Sequence, residues 1–225
     1  MTEPVPRREE PAGTHPTRTA SKRAGRVERI ERAAARVFAT KGYDGANFSD
    51  IAAELDLRGP SLYHYFSSKE ELFLRCLKHS AEQVFSRLRS IAAEQHPDPL
   101  DTLHAQVREQ VLIEVQDFPE FVPLFFKMRL PAPELAARVL ELRRQHAEIF
   151  ERTAADVRAH RGLDAGDVRV WLGVAFGALA YLQDWYDPGG ELGVDQLADR
   201  MATTLVEPFR SRQPNSGEDI LQVSW

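Results

Sequence analysis

Apolar positions recur at three- and four-residue steps through most of this 225-residue chain, and that spacing predicts helices from about residue 23 to residue 209. In the first helix Val27, Ile30, Ala34, Val37 and Phe38 share one face, while Arg26, Arg29, Arg32 and Arg36 occupy the rest of the circumference. Gly42 is expected to end it as a left-handed cap. A second helix is expected from Asn47, a strong N-cap, with Asp50 returning a carboxylate toward that cap and Ile51, Ala52 and Leu55 facing inward. Asp56 and Leu57 begin a turn whose demanding geometry is assigned to Gly59, and Pro60 opens a third, very short helix over 59–65. Leu62 and Phe66, four residues apart, pack inward, and Ser67 or Ser68 caps the next helix.

From Glu70 the pattern stays helical to about Glu94, breaks at Pro97-Asp98-Pro99 and resumes as far as Gln116. A short apolar segment over 121–129 ends at Pro131 and Pro133. Further helices are expected over 134–160, stopped by Gly162, over 167–186, broken by Asp187-Pro188-Gly189-Gly190, and over 194–209. No stretch alternates with β-branched enrichment as a strand does, and no repeat of 20 to 50 residues is present. The fold class is therefore all-α. Residues 1–20, rich in Pro, Thr, Arg and Glu, are expected to form a disordered basic tail, and 211–225 a polar C-terminal tail.

Charge sharpens the picture. The net charge of −5 conceals a split: residues 1–41 hold ten Lys+Arg against five Asp+Glu, leaving 19 against 29 for the remainder. A polyanion partner at the N-terminal end and a separate task for the acidic remainder follow from that asymmetry. Cys76 is the only cysteine, so no intrachain disulfide can form. No apolar run approaches the length of a membrane span, and no signal-peptide pattern opens the chain, so a cytoplasmic protein without a membrane partner is expected.

Residues 26–73 resemble the DNA-binding domain of the TetR family of transcriptional regulators. The resemblance rests on Phe-Ala-x-Lys-Gly-Tyr (Phe38 to Tyr43), Asp-Ile-Ala (Asp50 to Ala52), Leu-Tyr-x-Tyr-Phe (Leu62 to Phe66) and Ser-Lys-Glu-x-Leu (Ser68 to Leu72). It implies a three-helix helix-turn-helix reader over 21–67 and a larger α-helical effector-binding and dimerisation domain over 68–210. Asn47 stands where relatives usually have Thr or Ser, and Arg58 where they often have Ser. A second pattern, Trp-Tyr-x-Pro-x-Gly-x-Leu from Trp185 to Leu192, is similar to TetR-type regulators of fatty-acid and sterol breakdown, whose effectors are often acyl-CoA thioesters.

In a helix-turn-helix the second helix of the motif enters the major groove while its neighbours grip phosphates. Arg58, Gly59, Pro60 and Ser61 are expected at the groove-entering end, with Arg58 able to reach a guanine edge. The resemblance implies that Tyr63 and His64 contact backbone or base edges. Lys69, Asn47 and Ser49 are expected at phosphates near helix N-termini. Arg18, Lys22, Arg23 and Arg26 either track the DNA backbone or form a solvated basic tail.

One reader this small needs a second, related by a twofold axis and about 34–36 Å away, to specify a palindromic operator. The homodimer interface is expected on the last two helices. Trp171, Gly173, Gly177 and Ala180 supply it from the first, and Ala198, Met201 and Leu205 from the second, unless those faces complete the monomer core. Phe121, Phe125 and Phe126, with Val111, Val115, Phe150, Phe176, Tyr181 and Trp185, are expected to line a cavity for a small hydrophobic effector, the alternative for each being dense core. Arg129, beside Lys127, Arg138, Arg143 and Arg144, is the candidate for an anionic head group such as a CoA phosphate. An effector filling that cavity would shift the helix starting at Ser68 and weaken operator binding.

Rival functions find less support. Cys76 has His79 one turn on, but both fall on a helix expected to be buried, where a core thiol is the plainer reading. There is no His-Glu-x-x-His, no duplicated carboxylate–histidine pair and no glycine-rich phosphate loop, so no metal or cofactor is expected. The expected function is a ligand-responsive repressor, with an activator, or an all-α enzyme, as the alternatives.

Overall fold

A computed structural model of the chain describes residues 18–210, Gln95 excepted; the tails expected at 1–20 and 211–225 lie outside the described residues apart from 18–20. Helix α1 (Arg18–Gly45) therefore starts five residues before the periodicity suggests. It is kinked at Gly42, whose φ of 73° and ψ of 170° suit a residue without Cβ. Gly42 thus breaks the helix, but not as a left-handed cap: one further turn follows, and the Ala46 amide bonds the Gly42 carbonyl at 3.2 Å.

Helix α2 (Phe48–Ala53) is capped as expected, with Asn47 Oδ1 accepting from the Asp50 amide at 2.9 Å. The Asp50 carboxylate pairs with Lys41 Nζ at 2.6 Å, and that hydrogen bond, with a lesser one from the Asn47 backbone at the cap, holds its carboxyl below the usual range. The turn after α2 also differs from expectation: its left-handed residue is Asp56, with φ of 53°, not Gly59. Gly59 serves closeness instead. A Cβ there would stand 3.0 Å from Ser49 Oγ and 3.5 Å from Ser49 Cα, so the missing side chain lets two segments meet.

The third helix is a 3-10 helix, Gly59–His64, with Pro60 in its first turn and Leu62 fully buried. Helix α3 (Lys69–Ala93) begins at Ser68, whose Oγ accepts from the Glu71 amide at 3.0 Å, while the Glu71 carboxylate accepts from the Ser67 amide and hydroxyl. Helix α4 (Pro99–Leu112) runs directly into a π-helical turn, Ile113–Asp117, and a second π turn, Pro123–Lys127, follows. Helix α5 (Pro133–Arg161) ends at Gly162 in the left-handed conformation, φ 63° and ψ 36°, as expected. Helix α6 (Ala165–Ala180), a short α7 (Leu182–Trp185) and α8 (Val194–Arg210) complete the described residues, which contain no strand.

Helix α1 packs on α2 and α3; α3, α4 and α5 pack on one another, and α8 lies along α4. One apolar core runs without interruption from Ile30, Phe38, Ile51, Leu62 and Phe66 through Phe73 and Leu77 to Phe85, Phe121, Phe125 and Phe150. Helix α3 contributes to it along its whole length, with Leu72 and Phe73 at one end and Phe85 and Leu88 at the other. Each such side chain contributes about 1.5–3 kcal/mol by leaving water. A second, smaller cluster joins Val111, Leu179, Leu182, Leu197 and Ala198.

Candidate nucleic-acid interface and the aromatic interior

The reader presents one continuous face. Arg58, Pro60, Tyr63 and His64 are exposed and Ser61 is half-buried. The Tyr63 ring lies 4.7 Å from that of Phe48, so its position is fixed from beneath while its edge stays open. Asn47 and Ser49 are exposed at the start of α2, although Asn47 Oδ1 is already used by the cap. Arg58 has extended backbone at the entry to the 3-10 helix and caps nothing with its side chain. Beside this face lies an open cleft of about 760 Å³ lined by Lys22, Arg23, Arg26, Arg29, His64 and Tyr65, and the Arg23 guanidinium sits 5.9 Å above the Tyr65 ring. Such a row of cations beside the exposed 3-10 helix carries the charge that a phosphate backbone attracts.

Lys69 is placed differently from the expectation. Its ammonium donates to the carbonyls of Tyr43 at 2.9 Å and Ala46 at 3.2 Å, and lies 4.6 Å over the Tyr43 ring. It ties the first turn of α3 to the chain just after the α1 kink. On the neighbouring face Glu31 of α1 is buried and accepts from Arg75 Nε of α3 at 2.9 Å, and the Cys76 thiol donates to the Glu31 carbonyl. Burial raises the Cys76 thiol well above its usual range, so it is a core group rather than a nucleophile.

In the body, Phe121, Phe126, Phe150 and Phe176 meet around the ring of His146, with Phe125 stacked on Phe121 at 4.5 Å. The expected effector residues separate here. Val111 belongs to the smaller second cluster and Val115 packs against it. Tyr181 and Trp185 are 65% and 57% exposed, outside the aromatic interior expected for them. Arg129 is exposed beside a cleft of about 600 Å³ that separates the end of α1 from the second π turn. Of the other cations, Lys127 pairs with Asp184, Arg143 donates to the Phe125 carbonyl and Arg144 is held by Glu141 and Glu148.

Three residues expected at a dimer interface are consumed within the chain. Trp171 donates its indole N–H to the Leu205 carbonyl at 2.6 Å and meets the Phe209 ring at a tilt of 55°, while Ala198 and Leu205 are buried. Met201 and Ala180 are half-buried, and Gly173 and Gly177 are exposed. Beside those glycines stand Val170 and Val174, 68% and 59% exposed, which sequence reasoning missed. Their signal was present: 170, 173, 174 and 177 form one helical stripe that is apolar or small throughout.

Polar groups are buried beside the phenylalanines. His146 Nε2 lies 2.9 Å from Gln110 Oε1, and Gln110 Nε2 donates to Glu114 Oε1 at 2.7 Å. Burial pulls the imidazole down to about 4 and pushes the Glu114 carboxyl up to about 8, so both are mainly neutral near pH 7.

The family model for bacterial regulatory proteins of the tetR family matches residues 30–76, and that for the Tetracyclin repressor-like C-terminal domain matches residues 96–208. The HTH-type transcriptional repressor KstR2 of Mycolicibacterium smegmatis is 26% identical over 204 residues, 81% of this chain and 89% of that protein. The structure of ketosteroid transcriptional regulator KstR2 of Mycobacterium tuberculosis aligns with a TM-score of 0.69 at 21% identity, over 81% of this chain and 94% of that one. AibR in complex with isovaleryl coenzyme A and operator DNA aligns with a TM-score of 0.67 at 24% identity, over 80% and 98%. Among the described residues no helix is long and apolar enough to cross a membrane, and no cluster of metal-ligating side chains occurs.

Proposed function

The chain belongs to the TetR family of transcriptional regulators, and from that premise we propose that it is a dimeric repressor released from a palindromic operator by a small hydrophobic effector, an acyl-CoA thioester being the first candidate. Residues 21–67 act as the reader and 68–210 as the effector-binding and dimerisation body. Arg58, Gly59, Pro60 and Ser61 enter the groove, Tyr63 and His64 take adjacent edges or phosphates, and Asn47 and Ser49 receive a phosphate at the start of α2.

One observation carries the reading: helix α3 is built into both parts. Its first turn is fastened to the end of α1 through Lys69, and its far half places Phe85 5.8 Å from His146 in the aromatic interior. A ligand wedged among Phe121, Phe126, Phe150 and Phe176 therefore displaces the same rod that aims the reader. A coupling of about 1–3 kcal/mol would weaken operator binding roughly 5- to 150-fold. The acyl-CoA class is supported by the Trp185–Leu192 pattern and by the isovaleryl coenzyme A that AibR carries. The exposed Val170–Val174 stripe on α6 supports dimerisation, since an apolar patch of that kind is normally covered.

The test is an operator shift assay on the duplex upstream of the chain's own gene, repeated with acyl-CoA thioesters of increasing length. Release within the stated range supports the proposal. Operator affinity indifferent to every acyl-CoA and lipid added would sink the effector part. A chain that remains monomeric at micromolar concentration and ignores every duplex would sink the whole.

A further inference from the structure

Helix α4 buries a row of polar side chains that the fold itself leaves incomplete. Gln106, Gln110 and Glu114 are spaced four residues apart on one face, all three are buried, and Glu114 is 2% exposed. Gln110 is satisfied at both ends, by His146 and by Glu114 Oε1. Glu114 Oε2 has no partner, and neither has Gln106 Oε1. Orphaned buried polar atoms are rare because each forfeits its hydrogen bonds to water without replacement. Two of them stand on one helix face of the same body whose five phenylalanine rings cluster about His146.

The local backbone supports this. Glu114 lies in the π turn Ile113–Asp117, a geometry that recurs at functional sites. The turn is held open by Gln183, whose amide donates to the Glu114 carbonyl at 2.6 Å and to the Pro119 carbonyl at 2.8 Å. The direction of the hydrogen bonds decides the chemistry. Glu114 Oε1 already accepts from Gln110, so in the neutral acid the proton sits on Oε2, which then has a donor to offer. The charge of Lys127, which is paired with Asp184, reaches Glu114 but favours its ionised form less than burial opposes it.

We propose that Glu114 Oε2 donates a hydrogen bond to the carbonyl oxygen of an otherwise apolar effector lodged among the phenylalanines around His146. This rests on reading the body as the effector chamber. The ligand class is an apolar skeleton carrying a carbonyl, either an acyl thioester or a ring ketone. A free carboxylate at this point is disfavoured, because burial there already outweighs the charge of Lys127 in holding Glu114 neutral.

Two matched probe pairs test the inference on the full chain by calorimetric titration: octanoyl-CoA against S-octyl-CoA, its thioether without the carbonyl, and 4-phenylcyclohexanone against phenylcyclohexane. At least one carbonyl probe is expected to bind about 10-fold or more tightly than its partner, on the scale of one buried hydrogen bond. Which pair discriminates tells thioester from ketone. Glu114→Gln keeps a donor at this position and should keep the preference, whereas Glu114→Leu should abolish it while operator binding remains. The wild-type comparison stands even if Glu114→Leu does not fold. Equal affinity within both pairs, or a preference that survives Glu114→Leu, overturns the carbonyl assignment and leaves the effector chamber intact. Carbonyl-selective binding that never releases operator overturns the repressor-release reading instead, and binding by none of the four overturns both.

Discussion

Lys69 Nζ lies 2.9 Å from the carbonyl oxygen of Tyr43 and 4.6 Å from the centre of its ring, joining the start of α3 to the chain beyond the α1 kink. A hydrogen bond from an ammonium plus a cation–π contact, both partly exposed, contributes about 1–2 kcal/mol. Lys69→Met should lower the unfolding free energy by that amount in denaturant melts. It should leave the salt dependence of operator binding unchanged. If the slope of log affinity against log salt falls by about 0.9 instead, Lys69 neutralises a phosphate.

Arg58 and Arg26 should separate in a second experiment. Arg58→Ala is expected to cost about 1–3 kcal/mol against the specific operator and little against random duplex, as loss of a base-edge contact does. Arg26→Ala should weaken both alike and reduce the salt slope by about one contact. Identical behaviour of the two variants in titrations against both duplexes would remove Arg58 from base readout.

The two buried titrating groups should give a stability plateau between about pH 4.5 and 6.5, where their opposite slopes cancel, with losses on either side. The His146 imidazole is lowered to about 4, so its contribution is present above its unfolded value of 6.5 and is lost as pH falls toward 4. The Glu114 carboxyl is raised to about 8, so stability is greatest below its unfolded value of 4.5 and declines as pH rises to 8. Between 6.5 and 8 only Glu114 of this pair acts, and denaturant melts should lose stability by up to about 1.4 kcal/mol per pH unit. Glu114→Gln should flatten that limb; an unchanged limb in the variant would assign it to other groups.

Val174 gives the assembly a direct test. It stands 59% exposed beside Gly173 and Gly177 on the outer stripe of α6. Val174→Glu should convert a dimer to a monomer in sedimentation while the melting of the single chain changes by less than about 0.5 kcal/mol, as an exposed substitution does. Operator affinity should fall with it. A Val174→Glu protein that sediments as a dimer places the interface elsewhere.

What was legible in the chain was local. Asn47 and Ser68 cap helices through hydrogen bonds spanning three residues, and Gly162 closes α5 over five, so residue type and spacing suffice to locate them. What escaped depends on distant partners. The π turn Ile113–Asp117 is held by the side chain of Gln183, 69 residues away from Glu114, and reads in sequence as the end of an ordinary helix. The carbonyls that Lys69 bonds lie 23 and 26 residues upstream, brought near only by the packing of α1 on α3, so its tie across the kink could not be read from spacing. Tyr181 and Trp185 have the composition of cavity lining, but α6 ends at Ala180 and the chain turns, leaving both rings outside. Trp171 was expected at a subunit interface because a residue that meets α8 and one that meets a neighbour have the same apolar spacing; its indole donates to the Leu205 carbonyl of the same chain.

Gln183 has one more implication. Its single side-chain amide grips two carbonyls of the 113–119 stretch, and its backbone belongs to α7, immediately after the helix that carries Val170 and Val174. Any shift of the π turn would pull on this tether and on α7, so the interior and the outer stripe of α6 are joined through one amide without any wire of charges between them.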